Sequence, residues 1–133
     1  MMILTRFLLL AALAGALSAC AERLPPGGVA TLDGAYEGEV TRSSGPVQSC
    51  PTAFKLRVRV ASGEMRGEIL DFERPDAVVD RILAFIEADG RVITAFRSGS
   101  ETYGIDGRFG ASTFTALANG RACSYSAFAR RKQ

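Results

Sequence analysis

The sequence contains no histidine and no tryptophan among its 133 residues. Without histidine, the chain lacks the side chain that most often serves as a general base or binds a transition metal. Its 16 basic and 14 acidic residues leave a formal net charge of only +2, which is not the strongly basic balance of a nucleic-acid-binding protein. We therefore predict a protein that is not an enzyme, holds no cofactor or metal and binds no nucleic acid.

The apolar run at residues 7–16 is short. It contains about ten apolar residues, whereas a spanning helix needs about 20. Arg6 precedes the run, small residues follow it, and a charged, proline-containing stretch begins at Glu22. This layout is typical of a secretory signal peptide rather than of a membrane span.

The small residues after this run end in Leu17-Ser18-Ala19-Cys20. These four residues resemble the lipobox of bacterial lipoproteins, in which an aliphatic residue and two small residues precede a cysteine. The resemblance implies that residues 1–19 are a signal peptide, that the Cys20 thiol receives a diacylglyceryl group and that the new amino terminus is acylated. The alternative is a plain exported protein with an unmodified cysteine.

The resemblance also implies a location. In lipoproteins of two-membrane bacteria, aspartate after the cysteine favours the inner membrane, and here that position is Ala21. We therefore expect the protein to be anchored in the cell envelope at the periplasmic face of the outer membrane. Residues 20–32, which include Pro25-Pro26-Gly27-Gly28, are predicted to form a tether, and residues 33–133 a β-barrel-like domain.

The chain has three cysteines, an odd number for an exported protein. If Cys20 carries lipid, Cys50 and Cys123 remain as a pair. A disulfide between them would close a loop of about 70 residues and contribute roughly 4 kcal/mol in the chain-entropy model.

Alternation of apolar and polar residues predicts an all-β domain. A turn at Ser62-Gly63 would pair Val60 with Met65 and Leu56 with Ile69, which places both apolar sets on one face. Turn signals divide the remainder into further strands, and the whole reads as a small eight-stranded antiparallel up-and-down barrel or a curled sandwich with one disulfide. The predicted strands are 35–41, 53–61, 64–71, 81–88, 91–97, 102–109, 112–118 and 121–130.

Two turns define the predicted hairpins near the carboxyl end. Asn119-Gly120 would pair Phe114 with Tyr125, and Gly110-Ala111 would pair Gly107 with Phe114, whose ring would then cover the glycine. We favour an interior filled by side chains over one that holds a small ligand. The residues predicted to point inward are Leu56, Val58, Ile69, Ile105, Phe114 and Tyr125, and those predicted to point outward are Lys55, Arg57, Arg66, Asp106 and Arg108.

Residues 76–96 are ambiguous. Asp89-Gly90 predicts a hairpin, but apolar residues at helical spacing also allow a short helical turn over 76–81. The predicted hairpin is apolar on both faces, so either the segment 71–81 covers its outer face or this face binds a partner. The candidate partner surface consists of Phe85, Ile86, Val92, Ile93 and Phe96.

The acidic residues are expected to have structural roles rather than catalytic or calcium-binding ones. Glu37 and Glu39 share one strand face and are expected to form cross-strand charge pairs with Lys55, Arg57 and Arg59 instead of a catalytic acid pair. The cluster Asp71, Glu73 and Asp76 lacks the spacing and the turn glycine of a calcium loop.

In outline, a small lipid-anchored β-domain with one disulfide is similar to the periplasmic lipoproteins that inhibit lysozyme or proteases. The similarity is architectural, because none of their specific motifs is present, and fold does not imply function. It implies a non-catalytic binding module for an envelope protein or a foreign protein. The alternative is a structural or assembly accessory of the outer membrane.

Overall fold

The all-β fold is confirmed by the computed structural model, which describes residues 24–133. The predicted signal peptide and Cys20 lie outside the described residues. A short 3-10 helix at Gly28–Leu32 precedes the strands, and no helix in this part of the chain is long and apolar enough to cross a membrane. The eight strands are β1 (Gly34–Ser44), β2 (Ala53–Ala61), β3 (Glu64–Asp71), β4 (Val78–Phe85), β5 (Arg91–Ser98), β6 (Glu101–Phe109), β7 (Thr113–Asn119) and β8 (Ser124–Arg131).

The strands form one antiparallel sheet that curls into a nearly closed barrel. The sheet order is β4-β3-β2-β1-β8-β7-β6-β5, so the first and last strands are neighbours at its centre and β4 and β5 are its edges. We call the junction between these two edges the seam. Side chains bridge it: the N–H of Arg97 donates to Asp80 Oδ2 at 2.7 Å, and the Thr94 hydroxyl donates to the Leu83 carbonyl at 3.3 Å.

The β2–β3 hairpin has the predicted register. Val60 is paired with Met65 and Leu56 with Ile69 around the turn at Ser62-Gly63. Alternating burial in both strands places the apolar side chains in the barrel and the basic ones outside. Two independent local signals, the turn residues and the alternation, agree here, which is why the register follows from the sequence.

The predicted registers of the last two hairpins are wrong, although the inward and outward faces are correct. Phe114 is paired with Ala129 rather than Tyr125, and Gly107 with Ala116 rather than Phe114. Both turns lie further along the chain than predicted, because the bonds from Gly120 N to Cys123 O and from Gly110 N to Thr113 O enclose residues 121–122 and 111–112. The registers therefore shift by an even number of residues, which preserves the faces. The Phe114 ring still covers Gly107, where a Cβ would lie 2.6 Å from it.

Aromatic side chains close both ends of the interior. At one end Phe54, Phe96, Tyr103 and Tyr125 form a ring-to-ring cluster with centroids 4.9–5.6 Å apart. At the other end Tyr36, Phe109 and Phe114 pack with centroids 4.7 and 5.3 Å apart. Aliphatic and alanine side chains fill the middle, where a cavity of only about 10 Å³ remains. This space is about that of one water molecule, so the predicted filled interior agrees with the structure.

The two ends of the barrel differ in what caps them. The disulfide end carries the loop 45–52, held by the bond between Cys50 and Cys123 with Cα atoms 6.6 Å apart, as predicted. The tether end carries the 3-10 helix, where Leu32 is fully buried and its carbonyl accepts a bond from the Tyr36 hydroxyl at 2.7 Å. Arg131 fastens β8 to this end by donating to Thr31 O at 2.7 Å.

Candidate binding surfaces on the outer wall

The partner surface predicted from residues 82–96 is only partly on the outside. Phe85 is 75% exposed and Ile93 is 55% exposed, as that hypothesis requires. Ile86, Val92 and Phe96 are instead buried in the core, so the hypothesis is wrong for these three residues. Phe96 belongs to the aromatic cluster at the disulfide end and cannot contact a partner in the folded protein.

The error comes from the turn between β4 and β5. The bond from Glu87 N to Arg91 O leaves three residues in the turn, not the two assumed for Asp89-Gly90. A one-residue difference moves every side chain of the second strand to the opposite face. The strands also do not form the predicted hairpin ladder, since β4 is paired with β3 and β5 with β6. The helical turn predicted for 76–81 is likewise absent, because β4 begins at Val78.

The turn between β3 and β4 does not cover the exposed residues of this region. Asp71 Oδ1 accepts bonds from the N–H groups of Glu73 at 3.0 Å and Arg74 at 2.9 Å, which makes its carboxylate part of the turn. Pro75 of this turn lies beside Leu70 at the disulfide end. Leu83, Phe85 and Ile93 are therefore left open to solvent.

A groove of about 770 Å³ lies across the outer wall of β1–β4. It is lined by side chains of these strands and by Lys132, which follows β8, and its lining includes five basic and two acidic residues. The basic residues are Arg57, Arg59, Arg66, Arg81 and Lys132, and the acidic ones are Glu37 and Glu68. We call this depression the arginine groove.

Part of the charge in the arginine groove is paired within the domain. Lys132 Nζ lies 2.9 Å from Glu37 Oε1, and the hydrogen bond it donates holds the pKa of Glu37 below its usual value. Arg57 lies 4.0 Å from Glu68. The predicted cross-strand charge pair is present for Glu39, which lies 3.5 Å from Lys55, whereas Glu37 pairs with Lys132 instead of with the basic residues of β2.

Arg59 and Arg66 are directly opposite each other on β2 and β3. Like charges at such positions are destabilising, and only Arg66 has an intramolecular partner, Glu64 at 2.6 Å. Arg59 and Arg81 form no ion pair with any residue in the described range 24–133. Guanidinium groups presented in this way favour carboxylate or phosphate ligands, which they bind through two parallel hydrogen bonds.

These arginines were not among the predicted site residues, although the sequence contains part of the signal. The predicted β2–β3 register already places Arg59 opposite Arg66. Their proximity to Arg81 depends on the pairing of β3 with β4, where Glu68 is opposite Arg81. The up-and-down barrel predicts that these two strands are neighbours but not their register.

Comparison with known proteins gives no relative, since neither a protein-family model nor a curated protein matches this sequence.

Proposed function

We propose that this protein is a lipid-anchored, non-catalytic binding module of the cell envelope that captures an acidic surface of an envelope or foreign protein in the arginine groove. The observation that carries the proposal is the direct opposition of Arg59 and Arg66 on the outer wall. Because the interior is filled by side chains, binding has to take place outside the barrel.

The arginine groove suits a protein partner in its chemistry. A carboxylate from a partner placed between Arg59 and Arg66 would offset their mutual repulsion and form charge-assisted hydrogen bonds with both. Arg81 lies across β3 from Arg57 and extends the basic surface to Leu83. Charge of one sign beside an exposed apolar side chain favours specific association with an acidic protein surface.

The test of the groove uses the lipidated protein purified from the envelope. Arg59→Glu with Arg66→Glu should abolish capture of the partner from envelope extract. The matched control is Arg74→Glu with Arg121→Glu, two exposed arginines near the disulfide end, with the same change in net charge. Equal capture by both double variants would overturn the groove proposal. An envelope defect on deletion, without any captured protein, would favour the assembly role instead.

The anchor is tested separately through Cys20. This cysteine and its lipobox-like neighbours support acylation and location at the periplasmic face of the outer membrane. Cys20→Ser should release the protein into the soluble fraction and abolish labelling by radioactive palmitate. Unchanged membrane association of this variant would overturn the lipid anchor without affecting the groove.

A further inference from the structure

Three large apolar side chains lie exposed beside the seam. Phe85 is 75% exposed, Leu83 57% and Ile93 55%. Leu83 and Phe85 lie on β4, and Ile93 lies on β5 next to Thr94, whose hydroxyl reaches the Leu83 carbonyl. We call these three residues the seam patch.

The seam patch lies toward the end of the barrel at which the tether enters. Phe85 is the last residue of β4, and the N–H of its neighbour Ile86 donates to Gly63 O in the β2–β3 turn at 2.8 Å. Leu24 packs against the β4–β5 turn, because a Cβ at Gly90 would lie 3.1 Å from its Cδ2. Val29 packs in the same way at Gly63, at 3.4 Å. The first described residues therefore contact the two turns that flank Phe85.

The length of chain between Leu24 and Cys20 is small. Four Cα-to-Cα steps at no more than about 3.6 Å each span at most about 14 Å. An acyl chain on Cys20 therefore places Leu24 within about 14 Å of the acylated residue, and the β4–β5 turn that Leu24 contacts lies beside it. This step rests on the lipid anchor proposed above.

We propose that the seam patch inserts into the lipid surface and holds the domain on the membrane with its tether end down. An exposed aromatic side chain with two aliphatic neighbours can partition into the boundary between headgroups and acyl chains. The acyl anchor supplies a high local concentration of lipid, so a small apolar area is sufficient for binding.

The arginines nearest the seam patch are paired within the domain, so its apolar side chains carry the contact with lipid. Arg66 lies 2.6 Å from Glu64, and Arg91 lies 3.0 Å from Asp106. The basic end of β8 lies at the same end of the barrel, where Arg131 donates to Thr31 O. Basic residues next to an anionic membrane are attracted to it, and this attraction is weaker where the basic residue is paired with an acidic neighbour.

In this orientation the disulfide end points away from the membrane. An eight-residue strand is about 27 Å long, so Val47, in the loop beyond β1, lies far from the lipid. The arginine groove meets the seam patch at Leu83, whereas Arg57, Glu68 and Arg81 lie further along the strands toward the disulfide end.

The absence of tryptophan makes the proposal directly measurable. Phe85→Trp introduces a single fluorophore in the seam patch. Val47→Trp is the matched control, because Val47 is 74% exposed but lies at the disulfide end. Each lipidated full-length variant is reconstituted in vesicles of phosphatidylethanolamine and phosphatidylglycerol with brominated acyl chains. We expect a shift to shorter wavelength and about a twofold or greater loss of emission for the fluorophore at 85, with no change at 47.

The possible results separate the seam patch from the anchor. If both variants float with the vesicles and the fluorophore at 85 is quenched no more than that at 47, membrane contact by the seam patch is wrong and the anchor stands. If neither variant floats, the anchor fails and the membrane contact fails with it. A concentration-dependent shift at 85 in detergent without vesicles would assign the patch to a second copy of the chain and overturn the proposal.

Discussion

Asp80 and Arg97 hold the two edges of the sheet together, through a hydrogen bond of 2.7 Å from the backbone N–H of Arg97 to Asp80 Oδ2. The residues belong to β4 and β5, which share no backbone ladder. The Asp80 carboxylate thus accepts a hydrogen bond from a backbone N–H group of β5 that no neighbouring strand bonds. Edge strands with unpaired backbone groups are prone to pair with other chains, and this contact limits that exposure.

Asp80→Ala should therefore weaken the seam. We expect a loss of about 1 kcal/mol in the free energy of unfolding, since the bond is charge-assisted but exposed to solvent. Hydrogen exchange should become faster at the Arg97 amide. Asp76→Ala, in the adjoining turn, is the control and should leave that amide unchanged. Equal exchange in both variants would show that the bond does not protect the edge.

Phe114→Ala should be among the most damaging single substitutions. The Phe114 ring is 1% exposed, packs on Phe109 with centroids 4.7 Å apart and covers Gly107. Its removal should cost about 3–5 kcal/mol through lost burial and the cavity left behind. Arg57→Ala should cost less than about 1 kcal/mol, because its pair with Glu68 is exposed. Urea denaturation of both variants measures the difference, and similar midpoints would contradict the inward placement of Phe114.

Loss of the Cys50–Cys123 disulfide should destabilise the domain by roughly 4 kcal/mol, given a sequence separation of 73 residues. The double variant Cys50→Ser with Cys123→Ser should unfold at lower guanidinium concentration than the parent. Addition of a reductant should lower the midpoint of the parent to a similar value and leave the double variant unaffected. Mass spectrometry of the unreduced parent should find the two cysteine peptides linked, and free thiols on both would contradict the assignment.

Tyr125 should make stability depend on alkaline pH. Burial raises its pKa from 10.0 to about 12, with a further contribution from the neighbouring Tyr103, and its hydroxyl donates to Pro51 O at 2.6 Å. Because the folded-state pKa is the higher one, the contribution of the neutral phenol is complete below pH 10.0 and is lost as pH rises toward about 12. Urea denaturation across this window should show a steeper decline for the parent than for Tyr125→Phe. Parallel declines would contradict the shift.

The parts of the fold that follow from the sequence are those in which local signals agree. In the β2–β3 hairpin the turn at Ser62-Gly63 and the alternation from Phe54 onward specify one register, and the structure has it. For Phe114 the alternation specifies the face but not the register, because a turn of the same length placed further along the chain shifts the register by an even number and leaves every side chain on its face.

The face on which Phe96 lies cannot be predicted from the local sequence. Its face depends on whether the turn after β4 has two residues or three, and the sequence Asp89-Gly90 is compatible with both lengths. The length of this turn depends on the whole barrel, because β4 is paired with β3 and Phe96 packs in the aromatic cluster at the disulfide end. The arginine groove could not be predicted for a related reason, because it spans four strands and local sequence does not specify the β3–β4 register.

Because β1 lies beside β8 at the centre of the sheet, the domain cannot fold strand by strand from its amino end. Tyr36 and the Arg131 side chain that bonds to it are 95 residues apart, and β8 supplies one whole side of the pairing of β1. A chain that leaves a ribosome or a translocation channel amino end first has its early strands available while the strand that joins the two halves is still inside. Until β8 emerges, β1–β4 can form only an open meander with its apolar face in water. Folding of the domain is therefore delayed until the carboxyl end of the chain is released.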